Sequence, residues 1–242
     1  MNQEIKKKSG TLRYIHNVII NVSGHIILAV TAFILTPYLV RRMGTDSYAL
    51  YSFLGIITGY LSIMALGTGG GAGRFVARFN ARKESHRVRQ TAMTALWVHL
   101  ACVSFGAAIF LLLRQYWTAH LLNVPESLHS QALWFAAWAA LGAIFYALLQ
   151  GEIHIFMGLQ RFGWSNCITI LSGAGMPIGA AVLISAGFKL ESIAVWYVLL
   201  HLLIVAVGAW VLKKHTGLPA KDDWKGLDTD NRRDFMHFSL HV

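Results

Sequence analysis

Two series of polar residues in this 242-residue chain have a spacing that brings their side chains together. Asn17, Asn21 and His25 follow one another at intervals of four residues, which places them on one face of a helix. The same interval separates the members of a second series, Tyr146, Gln150 and His154. Such side chains donate and accept hydrogen bonds. The two series therefore predict either a polar cavity between two helices or hydrogen bonds that hold a bundle together.

Charged residues supply a second set of candidates. Glu152 is the only acidic residue within the apolar segments, and we predict that it forms an ion pair with a nearby arginine or takes up a coupling proton. Arg74 and Arg78 begin a dense run of cations that ends at Arg89. Because guanidinium groups bind phosphate and pyrophosphate through paired hydrogen bonds, we predict that Arg74 and Arg78 contact an anionic head group.

Motifs for catalysis, metal binding or nucleotide binding are missing from the sequence. It contains no G-x-S-x-G, no H-E-x-x-H and no Walker loop. Residues 67–72 fit G-x-G-x-x-A, but an apolar helix precedes them where a dinucleotide site needs a strand. Cys102 and Cys167 stand singly within apolar segments, without the spacing of a metal site. We therefore predict no catalytic residue, no metal and no cofactor.

The elements that position these residues are predicted to be membrane helices. Hydrophobic residues make up 55% of the chain and charged residues 13%, with a mean hydropathy of +0.51, whereas soluble domains are about a quarter charged. The net charge of +10 falls between apolar segments, so nucleic-acid binding is not expected. Six segments are long enough to span a bilayer: Tyr14 to Val40, Tyr48 to Leu66, Thr91 to Leu113, Gln131 to Met157, Asn166 to Phe188 and Ser192 to Leu212.

The predicted fold class is therefore all-α, a polytopic membrane helix bundle with six transmembrane helices and the start of a seventh. Residues 1–13 are expected to form a basic cytoplasmic tail and residues 14–212 the bundle. Residues 213–234 read as a cytoplasmic linker and residues 235–242 as a truncated seventh helix. Five glycines between Gly67 and Gly73 predict a helix break or a close approach of two backbones.

The distribution of cations predicts the orientation. Of the 21 lysines and arginines, 17 lie in the N-terminal tail and in alternate connections, and four lie on the other side. By the positive-inside rule, the N-terminus and the arginine run are expected in the cytoplasm. The predicted location is the inner (cytoplasmic) membrane, with membrane lipid as a partner.

The stretch from Leu35 to Phe79 resembles the N-terminal signature of the polysaccharide and O-antigen flippases. These proteins form part of the multidrug/oligosaccharidyl-lipid/polysaccharide exporter superfamily. GLQRF, at residues 158–162, is similar to a second landmark of the family, whereas Ala65 stands where an acidic residue is common. The positions that match the signature are Pro37, Arg41, Gly44, Tyr48, Tyr51, Leu66, Gly67 and Arg74.

The resemblance implies a transporter of two pseudo-symmetric lobes that moves a lipid-linked glycan, of the polyprenyl pyrophosphate type, across the bilayer by alternating access. It suggests a role in polysaccharide or lipopolysaccharide synthesis. The chain corresponds to one lobe, so we expect a fragment or a natural truncation that needs a missing C-terminal lobe. Two alternatives stay open: a drug or cation antiporter of the same superfamily, and an inactive membrane scaffold.

Overall fold

The computed structural model describes residues 2–63, 67–118, 124 and 126–217, with side chains from Val18 onward except that of Ser127. Every regular element in these ranges is helical, which confirms the all-α class. A short 3-10 turn, Glu126–Leu128, precedes the sixth helix. The helices are α1 Asn2–Met43, α2 Thr45–Ile63, α3 Thr68–Ala81, α4 Ser85–Leu112, α5 Arg114–Tyr116, α6 His129–Gly158, α7 Phe162–Ser185 and α8 Glu191–Thr216.

The long helices coincide with the apolar segments of the sequence. Five of them are long and apolar enough to cross a membrane, and α2 with α3 forms a sixth candidate if the bent pair is one span. The prediction of a polytopic helix bundle is therefore confirmed. The predicted linker beyond Gly217 and the predicted start of a seventh helix lie outside the described residues.

Both ends of the described bundle are more helical than the sequence suggested. α1 begins at Asn2, so that residues 2–13 belong to a helix. α8 continues through Lys213 and Lys214 to Thr216, because cations in the last turn interact favourably with the helix dipole. Gly217, at φ +75°, ends that helix.

The connection predicted between the second and third spans contains a helix, α3. Gly67 adopts φ +67°, a left-handed conformation that glycine reaches without steric cost, and the axis of α3 turns 61° away from that of α2. α3 buries Ala72, Phe75, Val76 and Phe79 on one face. The arginine run therefore starts on an amphipathic helix, and the expected helix break lies at its beginning.

α6 is the central helix of the bundle. It packs against α2, α3, α4, α7 and α8, and half of its most apolar window is buried. α1 packs mainly against α7, and only 6% of its window is buried. Alanines such as Ala136, Ala139 and Ala143 line the buried side of α6, because small side chains let neighbouring helices approach closely. The polar residues of α6 are thus held between several helices.

Candidate functional site: a polar cavity inside the bundle

A cavity of about 420 Å³ lies among α1, α2, α6, α7 and α8. Tyr48 and Tyr51 of α2 and Tyr146 and Gln150 of α6 form part of its wall. Thr36 of α1 and Thr169 and Ser172 of α7 contribute hydroxyl groups to the wall. Apolar residues such as Leu39 and Met176 complete the wall, and the described residues that line it include no Asp, Glu, Lys or Arg.

Hydrogen bonds fix several of these groups in place. Thr58 donates to the carbonyl of Leu54, 2.7 Å away, and accepts a hydrogen bond from the hydroxyl of Tyr197, which links α2 to α8. His201 lies edge-on against the ring of Tyr197, with ring centres 4.6 Å apart, and against that of Tyr146 at 5.4 Å. The wall of the cavity is therefore positioned by contacts between helices that are distant in sequence.

A second cavity, of about 300 Å³, adjoins the first. Tyr146 and Gln150 line both, and His99 and His154 line the second together with glycines at the start of α3. Nδ1 of His154 donates to the carbonyl of Gln150 at 2.7 Å, which leaves Nε2 for other contacts. His99 is 2% exposed, and its Nδ1 lies 2.9 Å from Oγ1 of Thr68.

The structure brings together one of the two predicted polar series. Tyr146, Gln150 and His154 all line a cavity, whereas Asn21 and His25 line neither. Asn21 is partly buried and His25 is exposed. The side chain of Asn17 lies outside the described residues.

The predicted face of α1 nevertheless continues into the first cavity. Leu28 and Ala32 line it, and each stands seven residues after a member of the predicted series, Asn21 and His25 respectively. A separation of seven residues keeps side chains on the same face of a helix. α1 therefore presents the predicted face to the cavity, but with apolar residues at the wall.

The predicted anion-binding arginines lie elsewhere. Arg74 and Arg78 are exposed on α3 and line neither cavity. Their predicted contact with a head group would therefore occur outside both cavities. The binding roles of all these residues stay predictions.

Glu152 is buried at the contact between α6 and α8. It is 2% exposed, and its Oε2 has no hydrogen-bond partner. A Cβ atom on Gly208 would overlap with Oε2 and lie 2.8 Å from the carboxyl carbon. No ion pair joins the carboxyl to an arginine in the part of the chain that the structure describes. Its role in coupling stays a prediction.

Several residues of the wall were missed in the sequence. Tyr48, Tyr51 and Thr58 of α2 follow one another at intervals of three and seven residues, and this spacing, which places them on one face of the helix, was the signal that could have found them. His201 also lines the first cavity, although a lone histidine in an apolar helix suggests only packing. Among the described residues, no group of three or more His, Cys, Asp or Glu side chains is placed to hold a metal ion.

Membrane-length helices around a polar cavity define a polytopic membrane protein of the kind that includes transporters. The chain belongs to the family of polysaccharide biosynthesis proteins, whose family model matches residues 14–242. No curated protein matches the chain.

Solved structures of the MOP superfamily, the same exporter superfamily, share the fold. The outward-facing conformation of a multidrug resistance MATE family transporter is 14% identical, with a TM-score of 0.69 over 93% of this chain and 51% of that one. A MATE protein in complex with MaD5 is 16% identical, with a TM-score of 0.72 over 92% of this chain and 51% of that one.

A MOP superfamily transporter from Pyrococcus furiosus is also 16% identical, with a TM-score of 0.67 over 95% of this chain and 50% of that one. The chain thus spans about half the length of the solved transporters that it resembles. The similarity establishes the fold of one half of a MOP transporter.

Proposed function

We propose that the chain forms one lobe of a flippase that moves a lipid-linked oligosaccharide or polysaccharide precursor across the cytoplasmic membrane by alternating access. The glycan occupies the cavities, and its lipid stays in the bilayer. Membership of the polysaccharide biosynthesis family supports this function. The fold of half a MOP transporter supports the mechanism, because these proteins pair two lobes around a central path.

The composition of the cavity wall carries the proposal. Tyr48, Tyr51 and Tyr146 offer aromatic faces, on which the apolar face of a sugar ring can pack. Gln150, Thr36 and the other hydroxyl groups supply donors and acceptors for sugar hydroxyls. A wall without formal charge suits a neutral glycan.

The pyrophosphate of such a substrate needs a different place. Neither cavity has a cationic side chain among the described residues that line it. Arg74 and Arg78, exposed on α3, are the candidates for this contact at the membrane surface. The substrate would therefore be divided between a sugar site inside the bundle and an anion site outside it.

A drug or cation antiporter is the second candidate. The buried carboxyl of Glu152, whose Oε2 has no hydrogen-bond partner, favours it, because intramembrane carboxyl groups often exchange protons or cations. Glu152 lines neither cavity, which weakens the case for direct contact with a substrate. An inactive scaffold is the least supported alternative, since its interior would be expected to be packed shut.

Genetic complementation tests the proposal. The complete reading frame that contains this chain is expressed in a strain that lacks its polysaccharide flippase, and surface polysaccharide is measured. We expect rescue, and we expect Gln150→Ala to reduce the rate of surface appearance about fivefold, the effect of losing one hydrogen bond. Thr31→Val is the matched control, because its hydroxyl group bonds only to the carbonyl of Ile27 in its own helix.

A parallel assay separates the two transport candidates. The same reading frame is expressed in a drug-sensitive strain that lacks its main exporters, and drug efflux is followed with and without Glu152→Gln. Efflux that depends on Glu152, without rescue of surface polysaccharide, would support the antiporter. Failure of both assays with protein present in the membrane would support the scaffold.

A further inference from the structure

Pro177 stands inside α7, at the wall of the first cavity. Proline has no N–H group, so the carbonyl oxygen of Gly173, four residues earlier, lacks its usual helical donor. In a helix this carbonyl points along the axis towards residue 177, and both residues line the cavity. Gly173 is exposed, so a ligand can reach its backbone atoms. α7 therefore presents a backbone acceptor at the cavity wall.

Three side chains of the same wall have already donated their hydrogen and keep only lone pairs. Thr169 donates to the carbonyl four residues earlier, at 2.9 Å, and Ser172 donates to that of Thr169 at 3.1 Å. Nδ1 of His201 on α8 donates to the carbonyl four residues earlier, at 2.7 Å, which leaves Nε2 of the neutral ring as an acceptor. All three side chains line the first cavity. We refer to the carbonyl of Gly173 and these three side chains as the acceptor face.

Contacts with α8 hold α7 in this orientation. Nε1 of Trp196 donates to the carbonyl of Gly175 at 3.1 Å. A Cβ atom on Gly179 would overlap with the indole of Trp196, and one on Gly175 would lie 3.2 Å from the side chain of Leu200. Because α8 packs so closely against α7, the acceptor face has a fixed direction.

An aromatic surface on α2 lies across the cavity from α7. Tyr48 and Tyr51 of α2 line the cavity, with ring centres 5.5 Å apart. The described residues of α2 and α7 do not pack against each other, so the cavity lies between the two helices. A sugar ring packed on the tyrosines would direct hydroxyl groups towards the acceptor face.

We propose that the acceptor face selects neutral sugar residues of the transported glycan and excludes acidic ones. A sugar hydroxyl group can donate a hydrogen bond to each lone pair of the face. A carboxylate only accepts hydrogen bonds, and the described residues that line the cavity include no Lys or Arg to balance its charge. An acidic sugar would therefore leave buried acceptors unpaired, which is costly. The inference rests on the proposed function and names the substrate class of the same site.

Binding of two simple sugars tests the proposal. The protein from the complete reading frame is purified in detergent and titrated at neutral pH with methyl glucoside and with methyl glucuronide, and binding is measured by saturation-transfer difference NMR. These probes differ at one carbon atom, which carries a hydroxymethyl group in the first and a carboxylate in the second. We expect methyl glucoside to bind at least about tenfold more tightly, because the carboxylate meets acceptors only.

Pro177→Ala tests the open carbonyl directly. It restores an N–H group at position 177, which returns the carbonyl of Gly173 to the hydrogen bonding of the helix. We expect the affinity for methyl glucoside to fall about fivefold, the effect of one hydrogen bond. The affinity for methyl glucuronide should change little, so the preference narrows by the same factor. A general loss of packing would weaken both sugars equally.

Incorporation of lactic acid at position 177 by nonsense suppression is the matched control. It also removes the proline ring, but its ester linkage has no N–H group, so the carbonyl of Gly173 stays open. Both sugars should then bind as they do to the wild-type protein. Thermal unfolding checks that each variant is folded.

Equal affinity for the two sugars, or no measurable binding of methyl glucoside, would overturn the proposal. So would an undiminished preference in folded Pro177→Ala, or an equal loss in the lactic acid variant, which would assign the effect to the shape of α7. These results leave the proposed function standing if the complete reading frame still restores surface polysaccharide. Absence of rescue together with the expected preference for methyl glucoside would reject the flippase and retain the selective sugar site.

Discussion

The carboxyl group of Glu152 restricts which residue can stand at position 208. We expect Gly208→Ala to destabilise the chain, because its Cβ atom would overlap with Oε2 of Glu152 in a contact between two packed helices. Insertion of a methyl group into a packed interior typically costs about 1–3 kcal/mol. Thermal unfolding in detergent should therefore show a lower melting temperature than that of the wild-type chain.

A control and a second substitution test this explanation. Gly163→Ala adds the same methyl group at a position where no atom lies within 4 Å, so its melting temperature should not fall. Removal of the carboxyl by Glu152→Ala should make Gly208→Ala much less harmful than it is in the wild-type background. If the losses of stability from Glu152→Ala and Gly208→Ala are strictly additive, the two residues do not interact.

Among the helices, α2 and α8 are joined across the cavity wall by one hydrogen bond, between Thr58 and Tyr197. We expect Tyr197→Phe to lower the free energy of unfolding by about 0.6–1 kcal/mol, the usual contribution of a hydrogen bond between membrane helices. Thr58 retains its bond to the carbonyl of Leu54 in this variant, so no buried hydroxyl group is left without a partner.

A double-mutant cycle with Thr58→Val isolates this bond. The double variant should lose less free energy of unfolding than the two single variants lose together, because both substitutions remove the same contact. Thr31→Val removes a hydroxyl group that bonds only within its own helix and should change stability by less than about 0.5 kcal/mol. A cycle without coupling would contradict the proposed link between α2 and α8.

The positions of the continuously apolar helices could be predicted from the sequence. α6 was predicted from Gln131 to Met157 and runs His129–Gly158, because a long apolar run without proline has one stable form in lipid. α3 was missed because its glycines and arginines suggest a loop. Its signal was the spacing of Ala72, Phe75, Val76 and Phe79, which places four apolar side chains on one face.

The cavity was less predictable than the helices. The interval between Tyr146, Gln150 and His154 correctly placed these residues on one face of α6, which is a property of the helix alone. Which helices lie opposite that face of α6 depends on how the helices pack together. Asn21 and His25 share the face of α1 that reaches the cavity, but the wall begins only at Leu28. Spacing determines a face of a helix, whereas the position of a cavity along it requires tertiary structure.

For the whole molecule, the distribution of charge predicts how the bundle is oriented in the membrane. The side of the chain with 17 of the 21 basic residues is expected to face the cytoplasm. His86, at the start of α4, and Ser130, at the start of α6, are both exposed and lie on opposite sides in this arrangement. A membrane-impermeant maleimide should therefore label Ser130→Cys in intact cells and His86→Cys only after permeabilisation.

This labelling experiment needs a background without native thiols, since Cys167 is exposed and Cys102 is partly so. Cys102→Ser/Cys167→Ser supplies that background, and its lack of labelling before and after permeabilisation is the control. Labelling of His86→Cys but not Ser130→Cys in intact cells would invert the orientation. The exposed Arg74 and Arg78 of α3 would then lie on the outer side of the membrane.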